Sequence, residues 1–396
     1  MNIINKKFLL FLLASLIIVG ISAMDIYISS LPKMVTEFYS SADILNITIS
    51  AYTFGLAFGV LFVGDFSNKY GRRVVLLIGI FAFTISSFAI VFSTDIKLII
   101  CLRFFQSLGC STFVIISRMI LKDVMNEKEQ INANGVVLLS MIISPALAPT
   151  IGAYIGHYLG WRYCFLLSST LGLTIFISIY KLLPETNHNK STRLTSIIEY
   201  LIIYKSLLSN SSFMSLTFIY SVTISSFYAF IGISSYLYIN SWRVTPIHYS
   251  YIFFLVSFAY FLGNWIMRIL NNKGKSVSLI IGLGVYSASF GVVIIVLSDL
   301  ILNGNFLIIM VSSSLFLIRT GNAILIPPTQ IRIMNHFKNH SAQALGFNMC
   351  IMYIIISLVI YTVTKLPYSP MINLIIFTAI PMLFSFIIYR LYHDKL

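Results

Sequence analysis

Twelve apolar runs of roughly twenty residues each constrain the fold of this 396-residue chain more than any other feature. A helix of about 20 apolar residues is long enough to cross the hydrocarbon core of a bilayer. We therefore predict an all-α membrane protein with 12 transmembrane helices. The predicted spans are Phe8–Leu31, Ile44–Val63, Val74–Phe92, Leu98–Leu121, Asn134–Ile155, Trp161–Leu183, Phe213–Tyr238, Tyr249–Leu270, Val277–Leu297, Phe306–Pro327, Ala342–Val363 and Met371–Tyr392.

The composition agrees with a protein whose main solvent is lipid. The chain is 58% hydrophobic and only 10% charged, whereas about a quarter of the residues of a soluble domain are charged. Its net charge of +14 does not indicate nucleic acid, because the basic residues lie in short gaps between apolar runs and form no soluble basic face. We expect the bilayer and a small-molecule substrate as partners, no nucleic acid, and a monomer.

The basic residues also predict the orientation of the chain. With the N-terminus inside, 18 of the 26 lysines and arginines fall in inside segments and 5 fall in outside loops. Such a bias places the basic loops in the cytoplasm, so we predict a multi-pass protein of the bacterial inner membrane with both termini cytoplasmic. The first apolar run follows Lys6 and Lys7 and continues to Leu31 without a clear cleavage site, which indicates an uncleaved first helix.

The longest polar stretch divides the spans into two groups of six. We predict an N-terminal half over residues 1–183, a cytoplasmic linker over 184–210 and a C-terminal half over 211–396. The turn after the second span, Gly64–Arg73, and the turn after the eighth, Gly263–Lys275, both combine glycine with a short basic run. Matching turns indicate an internal duplication, as in transporters built from parallel repeats.

Searches for other chemistry give no candidate. The four cysteines lie inside apolar runs without a CxxC pair, so we expect neither a disulfide nor a metal site. The chain has no P-loop, no HExxH and no GxSxG motif. We therefore predict that it is not an enzyme and uses no cofactor. An integral-membrane enzyme is the weakest alternative, because no paired acids share an interface.

Several segments resemble one transporter family. Gly64-Asp65 to Arg73 resembles the cytoplasmic loop signature of the major facilitator superfamily. Asp25 to Pro32 resembles the first-helix motif of the Bcr/CflA drug–proton antiporter branch, with Ser29 in place of a proline. Further segments resembling that branch are Leu102–Gly109 with Ser107 in place of a glycine, Ser117–Asp123, Gly160–Arg162, Leu183–Thr186 and Ala342–Gly346. The resemblance implies the major facilitator fold, with two pseudo-symmetric six-helix halves. It also implies that the proton gradient drives transport.

The loop signature is expected to act as a conformational gate. Its candidate residues are Gly64, Asp65, Gly71, Arg72 and Arg73. The glycines permit a tight turn and close helix approach. The resemblance implies that Asp65 latches the two halves at the cytoplasmic face in one state. The alternative is a solvated turn that only sets topology.

Asp25 is the only carboxylate well inside a predicted span, where a lone charge is costly. It lies about 12 Å below the outer end of its helix, and Arg103 lies about 9 Å below the same surface. We therefore expect Arg103 to be its partner, and the pair to couple proton binding to movement. A static structural ion pair is the alternative.

The fifth span carries Ser144, Pro145, Pro149 and Gly152, which resemble the antiporter signature of exporters with Ser144 in place of a glycine. Proline kinks a helix and glycine lets it pack closely. An ordinary packing kink would use the same residues.

Five residues are candidates for a substrate cavity. Arg319 lies about 15 residues beyond Gly304, near the middle of the membrane, where an arginine marks a substrate pathway. It could attract an anionic group, or it could cap backbone carbonyls. The other candidates are Asn322, Arg118, Tyr220 and Tyr228.

The sequence therefore predicts a secondary active transporter that exports small amphipathic molecules, a drug or a siderophore-like metabolite, by proton antiport with alternating access. Two other functions stay open. One is a proton-coupled importer of a small anionic metabolite. The other is a membrane receptor or scaffold that transports nothing, in which the linker would carry the function.

Overall fold

The computed structural model describes residues 6–187, 190–191, 194, 196–337 and 341–392. These residues form α-helices, a 3₁₀ turn over Ile28–Ser30 and a π-helical segment over Tyr236–Ser241, and no β-strand. The helices are α1 Lys6–Asp25, α2 Leu31–Glu37, α3 Ala42–Tyr70, α4 Arg72–Val91, α5 Ile96–Val124, α6 Glu127–Tyr158, α7 Arg162–Leu182, α8 Ile197–Leu208, α9 Ser211–Ser235, α10 Pro246–Asn272, α11 Val277–Ile301, α12 Gly304–His336, α13 Ser341–Val363 and α14 Pro370–Tyr392.

Within the described ranges, 12 helical segments are long and apolar enough to cross a membrane, which confirms the predicted all-α architecture. Several helices exceed their predicted bounds. The helix predicted over Asn134–Ile155 is α6, which begins at Glu127, and the one predicted over Phe306–Pro327 is α12, which ends at His336. The apolar run marks only the part in hydrocarbon, and the backbone hydrogen bonds of a helix continue into polar sequence beyond it.

The first span is not one helix, in contrast to the predicted continuous segment Phe8–Leu31. The α1 helix ends at Asp25, a 3₁₀ turn follows, and α2 begins at Leu31 with Pro32 in its first turn. Proline is accommodated there because the first turn of a helix leaves its N–H groups unbonded. Irregular backbone within a membrane span is tolerated only where protein surrounds it, and residues 26–31 are all buried.

Close glycine contacts join equivalent helices in the two halves. A Cβ atom on Gly109 of α5 would lie 2.3 Å from the carbonyl oxygen of Gly79 on α4. In the second half, a Cβ on Gly321 of α12 would lie 2.4 Å from the carbonyl oxygen of Gly284 on α11. Small residues let helix backbones approach closely in lipid. The same device at corresponding positions supports the predicted duplication.

The polar stretch between the halves contains one helix, α8. Its start is a capping box, in which Ser196 and Glu199 each accept a hydrogen bond from the other's backbone N–H. The Tyr204 ring of α8 stacks on Phe347 of α13 with centroids 4.3 Å apart. The linker is therefore docked on the second half at this point.

The two halves meet along α3 with α13 and along α6 with α10. We call the end of the bundle that carries α2 and residues 242–245 the distal face, and the opposite end, with Lys6 and α8, the terminal face. At the distal face, the Asn46 amide donates to the carbonyl oxygens of Gly232, at 2.7 Å, and Ile360, at 3.3 Å. Tyr154 and Tyr251 also share a hydrogen bond across the halves. The distal face is therefore closed in this structure.

Candidate functional site

Asp25 lies where α1 ends, in the middle of the first span. Its side chain is 4% exposed, and Oδ1 has no hydrogen-bond partner among the described residues. Arg319 and Arg103 are both electrostatic neighbours of this carboxylate, and neither forms a direct ion pair with it among the described residues. Since Arg319 belongs to the second half, the charge interaction of Asp25 reaches across the interface between the halves.

Arg103 does not form the expected ion pair with Asp25, since none of the ion pairs among the described residues joins the two. Its Nη1 instead donates to the carbonyl oxygen of Ala23, at 2.8 Å, and to Oε1 of Gln106, at 2.7 Å. The guanidinium also lies 4.1 Å from the ring centroid of Tyr52. Backbone carbonyl and aromatic ring together stabilise the buried cation without a carboxylate. Arg103 therefore positions the end of α1, two residues before Asp25.

Arg319 and Asn322 lie together on α12. The Arg319 guanidinium is 4.0 Å from the ring centroid of Phe227 and 4.5 Å from that of Tyr260, and its Nε has no hydrogen-bond partner among the described residues. The Asn322 side chain is fully buried, and neither of its polar atoms is bonded there. Buried polar atoms are normally paired with protein or water, so this cluster is a place for a ligand or for water.

Aromatic side chains surround these charges on the second half. Tyr220 accepts a hydrogen bond of 2.9 Å from Gln330 and is buried, whereas Tyr228, Tyr260 and Tyr353 are half-buried although they lie in the middle of their helices. Partial exposure at such a depth makes these three side chains candidates for the lining of a cavity between the helices. Tyr260 and Tyr353 had no distinctive signal in the sequence beyond their place within a span.

Arg118 lies near the same aromatic wall, on the first half. It is half-buried, and its Nη2 lies 3.8 Å from the sulfur of Met141. Its electrostatic neighbours are Tyr220, Tyr260 and Tyr353. The predicted cavity residues therefore lie in two regions, Arg319 with Asn322 and Tyr228 in one and Arg118 with Tyr220 in the other, and Tyr260 is an electrostatic neighbour of both arginines.

The motif in the fifth span lies on α6 beside the break in the first span. Pro145 and Pro149 are inside this helix, and the Ser144 hydroxyl donates to the carbonyl oxygen of Ile18, at 2.9 Å. A Cβ on Gly152 would lie 1.5 Å from the carbonyl oxygen of Ile26. Glycine is therefore required there, because it lets α6 approach the backbone directly after Asp25.

The loop signature forms a charged turn between α3 and α4. Gly71 has φ +106°, a conformation that L side chains rarely adopt. Arg72 forms an ion pair with Asp123, at 3.1 Å, and the Glu185 carboxylate accepts hydrogen bonds from the backbone N–H groups of Arg72 and Arg73. An acid at a helix N-terminus interacts favourably with its dipole and offsets the two arginines.

Gly64 and Asp65 lie one turn earlier, near the terminal face. A Cβ on Gly64 would meet only Met119, at an ordinary contact distance of 3.7 Å. Asp65 is an electrostatic neighbour of Tyr204, the linker tyrosine that stacks on the second half. The predicted latch residue thus lies beside a contact between linker and second half.

A second charged contact joins α1 to α6 at the terminal face. The Lys6 ammonium lies 2.7 Å from the Glu129 carboxylate, and with the backbone N–H of Asn126 it holds the pKa of Glu129 below its usual value. Both partners are partly exposed, so the pair contributes little to stability.

Asn46, Asp123 and Glu185 were not predicted as site residues. Asp123 and Glu185 belong to two of the family-like segments, which is the signal that could have found them. Asn46 carries no motif, and only the fold shows that it joins three helices. Among the described residues, no group of His, Cys, Asp or Glu side chains could hold a metal ion.

Residues 10–360 match the protein-family model described as Major Facilitator Superfamily. A solved structure, a D-xylose-proton symporter, has a TM-score of 0.72 at 14% sequence identity and covers 97% of each chain. At this identity the likeness shows the fold alone.

Relatives of known sequence include an uncharacterized transporter of Rickettsia bellii, 28% identical, with 86% of this chain and 85% of that protein covered. A bicyclomycin resistance protein homolog of Haemophilus influenzae is 23% identical over 66% of each chain. Multidrug resistance protein D of Escherichia coli is 24% identical, with 52% of this chain and 51% of that protein covered.

Proposed function

This chain belongs to the major facilitator superfamily, and from that premise we propose that it exports small amphipathic molecules by proton antiport. Its place in the superfamily would be the Bcr/CflA drug–proton antiporter branch, which the names of two relatives support. The observation that carries the proposal is Asp25. A buried carboxylate with an unbonded oxygen at a helix break, facing the other half, is suited to bind and release a proton.

The charge interaction with Arg319 gives this proton a mechanical effect. Ionised Asp25 attracts Arg319 and so holds the halves together at this depth. A proton on the carboxylate removes that attraction. Protonation therefore shifts the equilibrium between two conformations. The size of the shift is the difference between the interaction energies that the carboxyl group has in those two conformations.

Alternating access requires one face to open as the other closes. The distal face is closed here by the contacts of Asn46 and by the pair Tyr154–Tyr251. Opening it would break these bonds, while the charged turn at Gly71 and the linker helix α8 would close the terminal face. We place the terminal face in the cytoplasm, because the basic loops lie at that face. The protein would lie in the inner membrane, act as a monomer and be driven by the proton gradient.

One observation favours the importer as a second candidate. An anion bound at Arg319 would repel ionised Asp25 and so favour protonation of Asp25. The protein would then carry the proton and the anion in the same direction. The direction of gradient-driven transport distinguishes the two. A receptor or scaffold would need no proton at all.

The test uses the purified chain in proteoliposomes with an imposed pH gradient, bicyclomycin and other amphipathic compounds as cargo, and a pH-sensitive dye for the proton. Wild type should move cargo and protons in opposite directions. Asp25→Asn should lower gradient-driven transport to the level of protein-free liposomes, because an amide cannot carry the proton. Asp299→Asn, the same change at an exposed acid, should retain the wild-type rate.

Equal gradient dependence in wild type and Asp25→Asn would contradict the proton role of this residue. Movement of cargo and protons in the same direction would replace the exporter with the importer. Absence of gradient-driven movement of every compound in wild type would favour the receptor.

A further inference from the structure

Arg103, Arg118 and Arg319, which lie within the spans, differ in what balances their charge. Arg103 is enclosed by a backbone carbonyl, Gln106 and aromatic rings. Arg319 has Asp25 as an electrostatic neighbour. Arg118 takes part in none of the ion pairs among the described residues, its electrostatic neighbours include no acid, and its hydrogen bond there goes to the thioether sulfur of Met141. The positive charge of Arg118 is therefore not offset by an acid in the described part of the chain.

The position of Arg118 is separate from that of the proton site. It follows Arg103 on α5 by 15 residues, which is about 22 Å along the helix axis. Arg118 consequently lies toward the terminal face, and Asp25 lies toward the distal face. Tyr260 is an electrostatic neighbour of both Arg118 and Arg319 and so lies between the two regions.

The electrostatic neighbours of Arg118 come from the other half. Tyr220 belongs to α9, Tyr260 to α10 and Tyr353 to α13, so three helices of the second half place phenol groups within electrostatic reach of a guanidinium of the first. Neutral phenols can accept hydrogen bonds and contact a cation, but they do not neutralise it. An uncompensated charge within a membrane span is costly and marks a functional site.

We propose that Arg118 binds a negatively charged group of the cargo, and that the cargo is an aromatic monoanion whose ring lies among Tyr220, Tyr260 and Tyr353. This inference rests on the proposed transport function and holds for either direction of transport. A guanidinium offers two parallel N–H donors that match both oxygens of a carboxylate, and tyrosine rings give an aromatic cargo large contact area.

The site also explains how cargo binding could depend on conformation. Arg118 is in the first half and its three tyrosines are in the second. The site is therefore complete only in a conformation in which the two halves bring Arg118 close to these tyrosines. A cargo that contacts both halves binds one conformation more tightly than another and shifts the equilibrium toward it.

The experiment measures binding to the purified full chain in detergent by titration calorimetry, at one pH and without a gradient. The probes are 2-naphthoate, 2-naphthamide and 2-naphthylmethylammonium, which share one ring system and differ in charge. Wild type should bind the carboxylate at least about tenfold more tightly than the amide, as expected for a charge-assisted bidentate contact, and the ammonium more weakly still.

Variants of Arg118 test whether this residue is the cause. Arg118→Gln should reduce the preference for the carboxylate to within about twofold, and Arg118→Lys should keep part of it, because lysine retains the charge without the planar fork. Arg268→Gln, the same change at an exposed position of α10, should leave the preference at the wild-type value.

The proposal is overturned if wild type binds the amide or the ammonium as tightly as the carboxylate, if it binds none of the three, or if Arg118→Gln keeps the full preference. Because these titrations involve no gradient, they are independent of the proton role of Asp25. A carboxylate preference without gradient-driven transport would contradict the proposed function alone, and gradient-driven export of only neutral or cationic cargo would contradict the anion site alone.

Discussion

The two basic turns of the molecule occupy equivalent places in the two halves but are built differently. In the first, Gly71–Arg73, Arg72 is only 8% exposed and pairs with Asp123, while Glu185 accepts from the start of α4. In the second, Lys273–Lys275, all three residues are exposed. The duplicated fold has thus kept both turns, and of the two only the first has a charge network around a buried arginine.

This difference between the turns indicates that the two halves have different roles. In the proposed function, the first half carries Asp25, the broken span and the charged turn, which would respond to a proton. The second half supplies Arg319 and most of the aromatic wall, which suit a cargo. If this is right, changes at the first turn will alter transport, and matched changes at the second will be tolerated.

The largest expected difference is between Gly71→Ala and Gly274→Ala. A Cβ on Gly71 would lie 2.1 Å from a carboxylate oxygen of Glu185 at φ +106°, so alanine adds backbone strain and displaces the acid, at a cost of about 3 kcal/mol. Gly274, at φ +69°, has no neighbouring atom within 4 Å of the position that a Cβ would take, and alanine should cost only about 1 kcal/mol.

Thermal unfolding in detergent would measure this difference, with a thiol-reactive dye that reports exposure of the buried Cys110, Cys164 and Cys350. Transport per folded molecule should fall to background in Gly71→Ala and stay near wild type in Gly274→Ala. Equal losses at both positions would remove the asymmetry between the turns.

A smaller difference is expected between Arg72→Gln and Lys275→Gln. Arg72 donates to Asp123, Ser67 and Asn68, and its loss leaves these partly buried acceptors without their donor, at about 2 kcal/mol after allowance for partial solvent exposure. Lys275 is exposed, and its replacement should change stability by no more than about 0.5 kcal/mol.

Transport by Arg72→Gln should fall about tenfold, which corresponds to about 1.4 kcal/mol in the balance of conformations. Initial rates in proteoliposomes at matched protein density would show it. A Lys275→Gln variant that is impaired as strongly would mean that both turns control closure.

The sequence was sufficient to predict the transmembrane helices, because hydrophobic length decides which segments enter lipid, but not the linker helix α8. It was not sufficient for the break after Asp25. Residues 26–31 are as apolar as the helix before them, and only the close approach of Gly152 to the Ile26 carbonyl oxygen shows why the backbone departs from a helix there.

Partners of the charged residues were harder to predict than the residues themselves. Asp25 and Arg103 were placed at similar depth from their positions along two helices, but the orientation of a guanidinium depends on which acceptors surround it. Arg103 is bonded to Ala23 and Gln106, while Arg319 of the other half is also an electrostatic neighbour of Asp25. That relation depends on how the halves pack, which no local pattern contains.

The smallest expected difference is between two helix caps, Glu185→Gln for α4 and Ser276→Ala for α11. The Ser276 side chain accepts a hydrogen bond from the Leu279 backbone N–H, and its removal should cost about 1 kcal/mol. Glu185 accepts from Arg72 and Arg73, and glutamine keeps one acceptor oxygen but loses the charge, at about 1.5 kcal/mol. The two variants should therefore unfold at similar temperatures.

Transport is the readout that separates these two caps. Glu185 links the segment after α7 to the start of α4, so Glu185→Gln should loosen the charged turn and slow transport several-fold. Ser276→Ala should keep the transport rate within about twofold of wild type, because α11 starts at an exposed turn. Similar stability with different transport would show that the first turn acts on conformation beyond its part in holding the fold. If both variants slow transport in proportion to their lost stability, Glu185 is a structural cap and control of closure must lie elsewhere in the first half.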